Sequence, residues 1–482
     1  MRANLYKRAS TVLLLAALLL ALPALASART AGRWAPISAD TGNDNSAQPW
    51  LLRVAGGGLL VAYEDLGGAG SILTSTISPA GDIAQGPKIV DGWASVNDPA
   101  IVPLAGGLTA FFGGIHTTDA NDPNQNLNYG TAPGAAGPWT VTPNNVASPN
   151  NADDQAYGGV VAALALRDGA PVQAWAVTNG LFVHRGFDQT VPEQNFQTQL
   201  GGCCAYDAQL ALDGSTGTPA VAWYSNATGK HGVWYQTFDP ATATPTGAPA
   251  NVPQTSANDQ GLDLRGRVPL TGCPSQPGNW IAAQVGYPSQ NKVILWKAGS
   301  TSVKTLSRDD VEVRNVALTC GPDGRLWVAW VRDKELHVVR SNPERTDFGA
   351  EAVFDLPDGT VDIFDLVASA QENALDLVAN LGTTSGVRFQ AIQVLPALDL
   401  AVRSTFTASG SGTATIKATV TDAGDPVKGV TVKLAGKSAK TNRRGVASVT
   451  LRHLHKTKKY KMTASLRGYT TDTAKPKVKV KS

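Results

Sequence analysis

The stretch GPDGRLWVAWVRDKELHVVR, residues 321–340, contains a complete strand–turn–strand unit. It opens on the turn sequence Gly-Pro-Asp-Gly, in which proline fixes one backbone angle and glycine tolerates a positive φ. Residues 326–331 then form an apolar, aromatic-rich run, and a short polar turn separates it from a second run at 335–340. Residues 313–319 add a third candidate strand upstream. Three short strands joined by tight turns predict an antiparallel meander.

Copies of this meander recur along most of the chain. The equivalent positions of the central strand are Tyr63, Phe112, Trp175, Trp223, Gln284, Trp330 and Ala379. Neighbouring copies are on average about 53 residues apart, near the longer periods of repeat proteins. A single meander cannot bury both of its faces, so the repeat predicts copies stacked against one another.

The number and phase of the copies predict an all-β fold, a seven-bladed β-propeller over residues 29–396. Each copy reads as an inner strand, two middle strands and an outer strand, but the last copy stops after its third strand, residues 387–394. A strand around residues 34–37 resembles an outer strand, and we expect it to complete the last blade and close the ring. The alternative is a six-bladed propeller with one irregular hairpin, because the copy around Trp280 has the weakest pattern.

The first 28 residues have the features of a signal peptide. A basic segment precedes an apolar run at residues 12–22, which is too short to span a bilayer. Ala26-Ser27-Ala28 fits the small-residue rule for cleavage, so the mature chain is expected to begin at Arg29. We therefore expect a secreted, extracellular protein, with association to the cell surface left open and no membrane span.

Four cysteines follow in this exported chain, where disulfides persist. Cys273 and Cys320 each end the inner strand of adjacent copies, and we prefer a bond between them. Cys203 and Cys204 are neighbours in sequence and either bond to each other or pair elsewhere. The cysteine and histidine spacings of zinc sites are missing.

A short acidic or amide-rich stretch precedes each inner strand. Aspartates in these stretches either cap the turns between blades or line a central funnel as a ring of carboxylates that binds a cation or a polar ligand. Arg265, Arg267 and Arg314 cluster near two adjacent inner strands, where they could grip an anionic group or pair with the aspartates. The candidates chosen for the funnel or for ligand binding are Asp98, Asp154, Asp207, Asp263, Arg265, Arg314 and Asp362.

Residues 397–482 form a second domain of opposite charge. They contain 18 lysines and arginines against four aspartates, whereas residues 29–396 contain 20 basic and 34 acidic residues. Alternating segments at 413–421, 430–434 and 446–451 predict a small β-sandwich. Its last lysines, Lys475, Lys477, Lys479 and Lys481, would share one strand face and form a basic tether.

Two resemblances accompany these patterns. The text DPVKGVTVKLAGKSAKTNRRGVASVTL, followed by YKMTASLRGY, resembles bacterial Ig-like and carboxypeptidase-regulatory-like modules, which implies a spacer or adhesion element. The exported propeller resembles the sialidase-like superfamily over residues 30–396. The chain lacks the S-x-D-x-G-x-T-W boxes of that superfamily. The arginine triad and the Tyr/Glu pair of the superfamily match no particular residues of this chain.

These observations favour an exported, non-catalytic binding or adhesion protein. Its propeller would bind a surface glycan or another cell-surface polymer, and its basic module would act as a spacer or bind an anionic cell-envelope polymer. A sialidase-like glycoside hydrolase and a protein-interaction scaffold are the alternatives. We expect a monomer with no nucleic-acid partner and no cofactor, apart from a structural cation that the carboxylate ring could hold.

Overall fold

The computed structural model describes residues 31–38, 47–65, 67, 70–117, 126–141, 161–177, 180–188, 191–201, 205–257, 267–286, 289–371 and 373–480. The predicted signal peptide lies outside these residues. Those described form strands, turns and short 3₁₀ segments, namely Gln197–Leu200 and Thr255–Ala257, and none of them is in an α-helix. Accordingly, no helix in the described part of the chain has the length and apolarity that a membrane span needs.

The first four antiparallel sheets follow one another in chain order. Sheet 1 contains β2 (Trp50–Arg53), β3 (Leu59–Glu64), β4 (Ile72–Ile77) and β5 (Ile83–Gln85). Sheet 2 contains β6 (Ser95–Val96), β7 (Ala100–Leu104), β8 (Gly107–Ile115), β9 (Asn126–Ala132) and β10 (Thr140–Val141). Sheet 3 contains β11 (Val161–Ala165), β12 (Pro171–Val177), β13 (Gly180–Arg185) and β14 (Gln194–Asn195). Sheet 4 contains β15 (Ala205–Leu212), β16 (Pro219–Ser225), β17 (Gly232–Phe238) and β18 (Pro245–Asn251).

Three further sheets precede residue 396. Sheet 5 contains β19 (Leu270–Gly272), β20 (Asn279–Val285), β21 (Lys292–Lys297) and β22 (Val303–Arg308). Sheet 6 contains β23 (Val313–Cys320), β24 (Leu326–Arg332), β25 (Glu335–Arg340) and β26 (Ala352–Asp355). Sheet 7 contains β27 (Thr360–Gln371), β28 (Ala374–Thr383), β29 (Gly386–Val394) and, from the beginning of the chain, β1 (Ala35–Pro36).

The inner strands of these sheets make a closed ring, so the fold is a β-propeller. Strands β2, β7, β11, β15, β19, β23 and β27 each contact the next, and β27 contacts β2. The expected closure by the N-terminal strand is confirmed, because Ala35 pairs with Ala391 and Pro36 with Gln390. The copy around Trp280, which had the weakest pattern, forms the regular four-stranded sheet 5.

Strand β24 shows why the meanders stack. All seven of its residues are buried, yet alternate side chains belong to two different hydrophobic clusters. Trp327 and Val331 pack in the cluster shared with sheet 7, while Val328 and Trp330 pack in the cluster shared with sheet 5. Because successive side chains of a strand point to opposite faces, a middle strand packs side chains against the sheets on both sides of its own.

Residues 397–480 form a separate hydrophobic core covered by three small sheets. One contains β30 (Asp399–Val402), β32 (Ala414–Asp422), β33 (Asp425–Pro426) and β36 (Val446–Leu451). A second contains β31 (Thr405–Ala408), β40 (Lys477–Val480) and β37 (Lys458–Lys459). The third contains β34 (Thr431–Leu434), β35 (Lys437–Lys440), β38 (Met462–Ser465) and β39 (Asp472–Ala474). We call this region the module.

The predicted disulfide is confirmed. Cys273 and Cys320 are bonded, with their Cα atoms 5.2 Å apart, and they join sheets 5 and 6 at the ends of adjacent inner strands. Cys203 and Cys204 lie outside the described residues.

Candidate functional site

The segments that lead into the inner strands converge at one end of the propeller channel. Gln48, which precedes β2, donates its backbone N–H to Asp98 Oδ1 at 2.7 Å and its side-chain Nε2 to Asp207 Oδ1 at 3.2 Å. One glutamine of sheet 1 therefore links carboxylates of sheets 2 and 4. This geometry fits the structural interpretation of the aspartates, because their oxygens accept hydrogen bonds that hold sheets together.

Arg267 crosses the mouth of the channel. Its buried guanidinium belongs to the segment before β19, yet it donates to the carbonyls of Pro49 at 3.1 Å, Pro99 at 3.2 Å and Val161 at 3.3 Å. Its Cζ lies 5.0 Å from the ring centroid of Trp50, in a cation–π contact. The side chain of sheet 5 thus bonds to sheets 1, 2 and 3 and occupies the channel mouth.

The charge of this buried arginine is balanced by carboxylates around it. Burial lowers the pKa of Arg267, and the negative charges of Asp98, Asp365 and Asp207 oppose that shift. Burial also raises the pKa of Asp365 to about 6, against the opposing effects of Arg267 and of the Leu366 backbone N–H. Among the described residues, Asp365 Oδ2 has no hydrogen-bond partner.

A cavity of about 110 Å³ lies along the channel beside these groups. Inner-strand residues line it, among them Trp50, Gln209, Arg267, Val316 and Asp365. A water molecule occupies about 30 Å³ in the liquid, so the cavity has room for several waters.

A larger groove, of about 300 Å³, opens between sheets 6 and 7 at the same end of the inner strands. It brings together two predicted candidates, Arg314 on β23 and Asp362 on β27. The Arg314 Nη2 atom lies 2.9 Å from Glu312 Oε2, and Asp362 Oδ1 accepts the backbone N–H of Ile363 at 2.9 Å. Arg314 remains 42% exposed, so its guanidinium is open to a ligand.

The remaining wall of the groove combines charge with apolar surface. Asp333 and Lys334 form the tight turn between β24 and β25, with φ of 45° and 64°, and project at the groove. Val311 and Val361 line it with 41% and 55% of their surfaces exposed. We call this set, with Arg314, Glu312 and Asp362, the rim groove. It offers hydrogen-bond donors and acceptors beside aliphatic surface.

The candidates chosen from the sequence thus divide into separate places. Asp98 and Asp207 lie at the channel mouth, whereas Arg314 and Asp362 line the rim groove. Arg314 pairs with Glu312 instead of with one of the repeat aspartates. Asp154, Asp263 and Arg265 lie outside the described residues.

Three residues of the channel are absent from the candidates predicted from the sequence. Asp365 and Gln48 were not considered, and Arg267 was considered but not chosen. On β27 the carboxylate buried beside the channel is Asp365, three residues beyond Asp362, because register shifts at 360–362 and 363–365 change which side chains face the channel. Gln48 had no distinguishing pattern. Arg267 belonged to the arginine cluster, but nothing in its spacing separated it from Arg265.

The expected cation has no support from the described part of the chain, in which no three His, Cys, Asp or Glu residues group together so as to hold a metal ion. The positive charge of Arg267 takes the central position among the carboxylates. The structural cation therefore stays a prediction.

On the module, the expected alternation of lysines is present on β40. Lys477 and Lys479 lie on its outer face and Val478 is buried between them. Lys475 is exposed just before this strand, and Lys481 lies outside the described residues. Lys459 of β37 pairs directly opposite Lys477, and Lys458 is exposed beside it. Like charges directly opposite each other destabilise a strand pair, so this face would gain from a bound anion.

Comparison with known proteins gives only structural likenesses. No family model matches the chain, and no curated protein matches it. Similar solved structures include a Trypanosoma rangeli sialidase in complex with the inhibitor DANA (9% identity, 89% of this chain and 88% of that chain, TM-score 0.37). The Dos1 propeller is similar at 10% identity (75% and 95% covered, TM-score 0.39), and prolyl oligopeptidase B from Galerina marginata at 9% (81% and 57% covered, TM-score 0.40). At these values the likenesses carry no inference about activity, and the propeller fold rests on the sheet topology of the chain itself.

Proposed function

We propose that the chain is an exported, non-catalytic binding protein whose propeller binds a surface glycan in the rim groove and whose module attaches to an anionic cell-envelope polymer. The observation that carries the proposal is the rim groove itself. It joins exposed Arg314 and Lys334 with carboxylates and two exposed valines in a volume of about 300 Å³. Sugars present hydroxyls beside apolar ring faces, and this wall is complementary to both.

The channel supports a binding role over hydrolysis. Glycoside hydrolysis needs two carboxyl groups on either side of the scissile bond, with space for the sugar between them. At the channel mouth, Asp98 and Asp207 both accept hydrogen bonds from Gln48, and both carboxylates oppose the effect of burial on the charge of Arg267. These groups are engaged in joining the sheets.

Binding to the rim groove can be tested with the mature chain, residues 29–482, on a glycan array and on isolated cell envelopes. Replacing Arg314 and Lys334 together by alanine should weaken the strongest glycan signal at least tenfold. Arg185→Ala is the matched control, because Arg185 is a half-buried, ion-paired arginine of sheet 3, away from the groove. Equal binding by parent and groove variant would overturn this placement of the site.

Catalysis can be tested in parallel with a panel of fluorogenic glycosides. We expect no turnover above the rate of a heat-denatured sample. Turnover that disappears in Glu312→Gln or Asp362→Asn, with Arg185→Ala still active, would show that the groove is an active site and would contradict the non-catalytic assignment.

A further inference from the structure

The module contacts the propeller through a buried cluster of charges. Arg340, at the end of β25, is 4% exposed, and its Nη1 atom lies 2.7 Å from Asp422 Oδ2 at the end of β32. Arg325, in the turn after β23, donates Nη2 to Asp425 Oδ2 at 2.6 Å. Two arginines of sheet 6 therefore bind two aspartates of the module. We call these four residues, with Asp323, the interdomain cluster.

Neighbouring groups fix the geometry of the cluster. The second arm of Arg340 bonds to Asp323, and its guanidinium lies 5.1 Å from the ring centroid of Trp327. On the module side, the Tyr469 hydroxyl lies 3.4 Å from Asp422 Oδ2. Planar guanidinium groups held by carboxylates and an aromatic ring are restricted in orientation as well as in distance.

The backbones of the two domains also approach closely here. A Cβ atom added to Gly349, in the loop that follows Arg340, would lie 3.2 Å from the backbone nitrogen of Ala423. Ala423 is itself 2% exposed, with φ of 51°, in the turn between β32 and β33. The buried turn and the charge pairs fit together in one orientation of the module. If the module docked in a rotated orientation, the arginines and aspartates of the interdomain cluster would be buried without their partners, which is costly.

The cluster lies far from both proposed binding surfaces. Strand β23 runs from Val313, beside the rim groove, to Cys320, next to the turn that carries Asp323 and Arg325. At 3.3 Å per residue, its eight residues separate groove and cluster by roughly 23 Å. Strand β32 runs in turn from Asp422 to Ala414, which pairs with Leu451 just before the lysine-rich segment. The far end of that strand is roughly 26 Å from Asp422.

We propose that the interdomain cluster fixes the module on sheet 6, so that the chain is a rigid adaptor with its rim groove and its lysine face held apart. A polymer bound at the lysine face then leaves the groove open to a second ligand. The inference rests on the proposed function for the identity of the two ligands, whereas the rigidity follows from the cluster alone. The module is thus a docked arm and not a freely moving tether.

The rigidity is tested on the mature full-length chain by pulsed electron paramagnetic resonance. Nitroxides attached at Thr301→Cys, on the propeller, and Lys437→Cys, on the module, occupy exposed positions away from the cluster. The parent should give one narrow distance distribution. Asp422→Arg, which places a third guanidinium beside Arg325 and Arg340, should broaden it at least twofold. Gly349→Leu should do the same by blocking the backbone approach without changing any charge.

Asp399→Arg is the control for the charge reversal, because Asp399 is exposed on β30 and outside the cluster. The distribution of this control should stay narrow. A narrow distribution in both Asp422→Arg and Gly349→Leu would overturn the inference, as would a broad one in the parent. Circular dichroism of each variant distinguishes undocking from unfolding, since undocking leaves the strand signal unchanged.

The openness of the groove is tested by lysine acetylation of the chain bound to long-chain polyphosphate on a resin. Lys459, Lys477 and Lys479 should be protected at least fivefold, and Lys334 should react as in the free chain. Protection of Lys334 as well would overturn the separation of the two surfaces. Failure of the chain to bind polyphosphate would instead overturn the proposed attachment function, and the distance measurement would still decide the rigidity.

Discussion

At the scale of single residues, the most informative group is Asp365. It is 2% exposed, and burial raises its pKa to about 6, whereas an aspartate in an unfolded chain titrates near 4. Because the folded state holds the proton more tightly, the carboxyl group favours folding below pH 4 and loses that advantage as the pH rises through 6. The cost of ionising Asp365 in the folded state is about 3 kcal/mol at most.

Asp365→Asn should therefore raise the thermal midpoint at pH 8 and leave it nearly unchanged at pH 4. The uncharged amide has no ionised form to bury, so the part of the pH dependence between 4 and 7 that belongs to this group should vanish. Melting curves from pH 4 to 8 measure this directly. Asp362→Asn, three residues away on the same strand, is the control, and an identical pH profile for parent and Asp365→Asn would contradict the assignment.

At the scale of elements, strand β1 closes the ring. Strand β1 makes two ladder pairs with β29, and the residues around it add hydrogen bonds. The Gly32 N–H donates to the Gln393 carbonyl at 2.7 Å, and the Ile37 N–H donates to the Phe389 carbonyl at 3.0 Å. Ile37 is 7% exposed in the cluster between sheets 7 and 1. Burial of such a side chain contributes about 2 kcal/mol, and the strand also covers the edge of β29.

Deleting residues 29–38 should thus lower the thermal midpoint of the whole propeller and promote aggregation through the uncovered edge. Differential scanning calorimetry with light scattering measures both effects. Arg33→Ala, which changes an exposed residue of the same segment, should melt like the parent. A deletion variant that melts at the parent temperature without aggregating would show that β1 is dispensable for closure.

The disulfide acts at the same scale, because it joins the inner strands of sheets 5 and 6 across 47 residues of sequence. By the chain-entropy account, closing a loop of that length stabilises the folded state by up to about 4 kcal/mol. Replacing Cys273 and Cys320 together by alanine should lower the free energy of unfolding by roughly 2–4 kcal/mol.

Chemical denaturation of the oxidised parent and the double variant provides the measurement. Dithiothreitol should lower the stability of the parent toward that of the double variant, and the double variant should respond less to the reductant. Equal stability of the oxidised parent and the double variant would mean that packing alone joins the two sheets.

At the scale of the whole molecule, charge is divided between the domains. Residues 397–482 hold 18 basic and four acidic residues, and the exposed lysine face concentrates part of that charge on β37 and β40.

Replacing Lys475, Lys477, Lys479 and Lys481 by glutamine should lower retention on cell envelopes at least fivefold in low salt. Binding of the parent should fall with added salt as the screening length shortens below about 8 Å.

The matched control replaces Lys417, Lys433, Lys437 and Lys440, which removes the same charge from strands outside that face. Retention measured by envelope sedimentation should separate the two variants. If both lose binding equally, total charge is sufficient and the arrangement on β40 has no special role.

The sequence by itself determined the repeated meander, the closure by an N-terminal strand, the bond between Cys273 and Cys320, and the alternation of Lys477 with Lys479. Each depends on a local period or on equivalent places in successive copies, and such patterns are readable along the chain.

Only the tertiary structure decided which polar residues meet. Arg267 bonds to carbonyls more than 100 residues away in sequence, and the register shifts in β27 replace Asp362 by Asp365 at the channel. The pairing of Arg340 with Asp422 joins two domains whose sequences contain no sign of each other. The reason is physical: hydrophobic periodicity repeats along a strand, whereas a buried charge finds its partner through the ring geometry, strand register and domain docking that the whole chain creates.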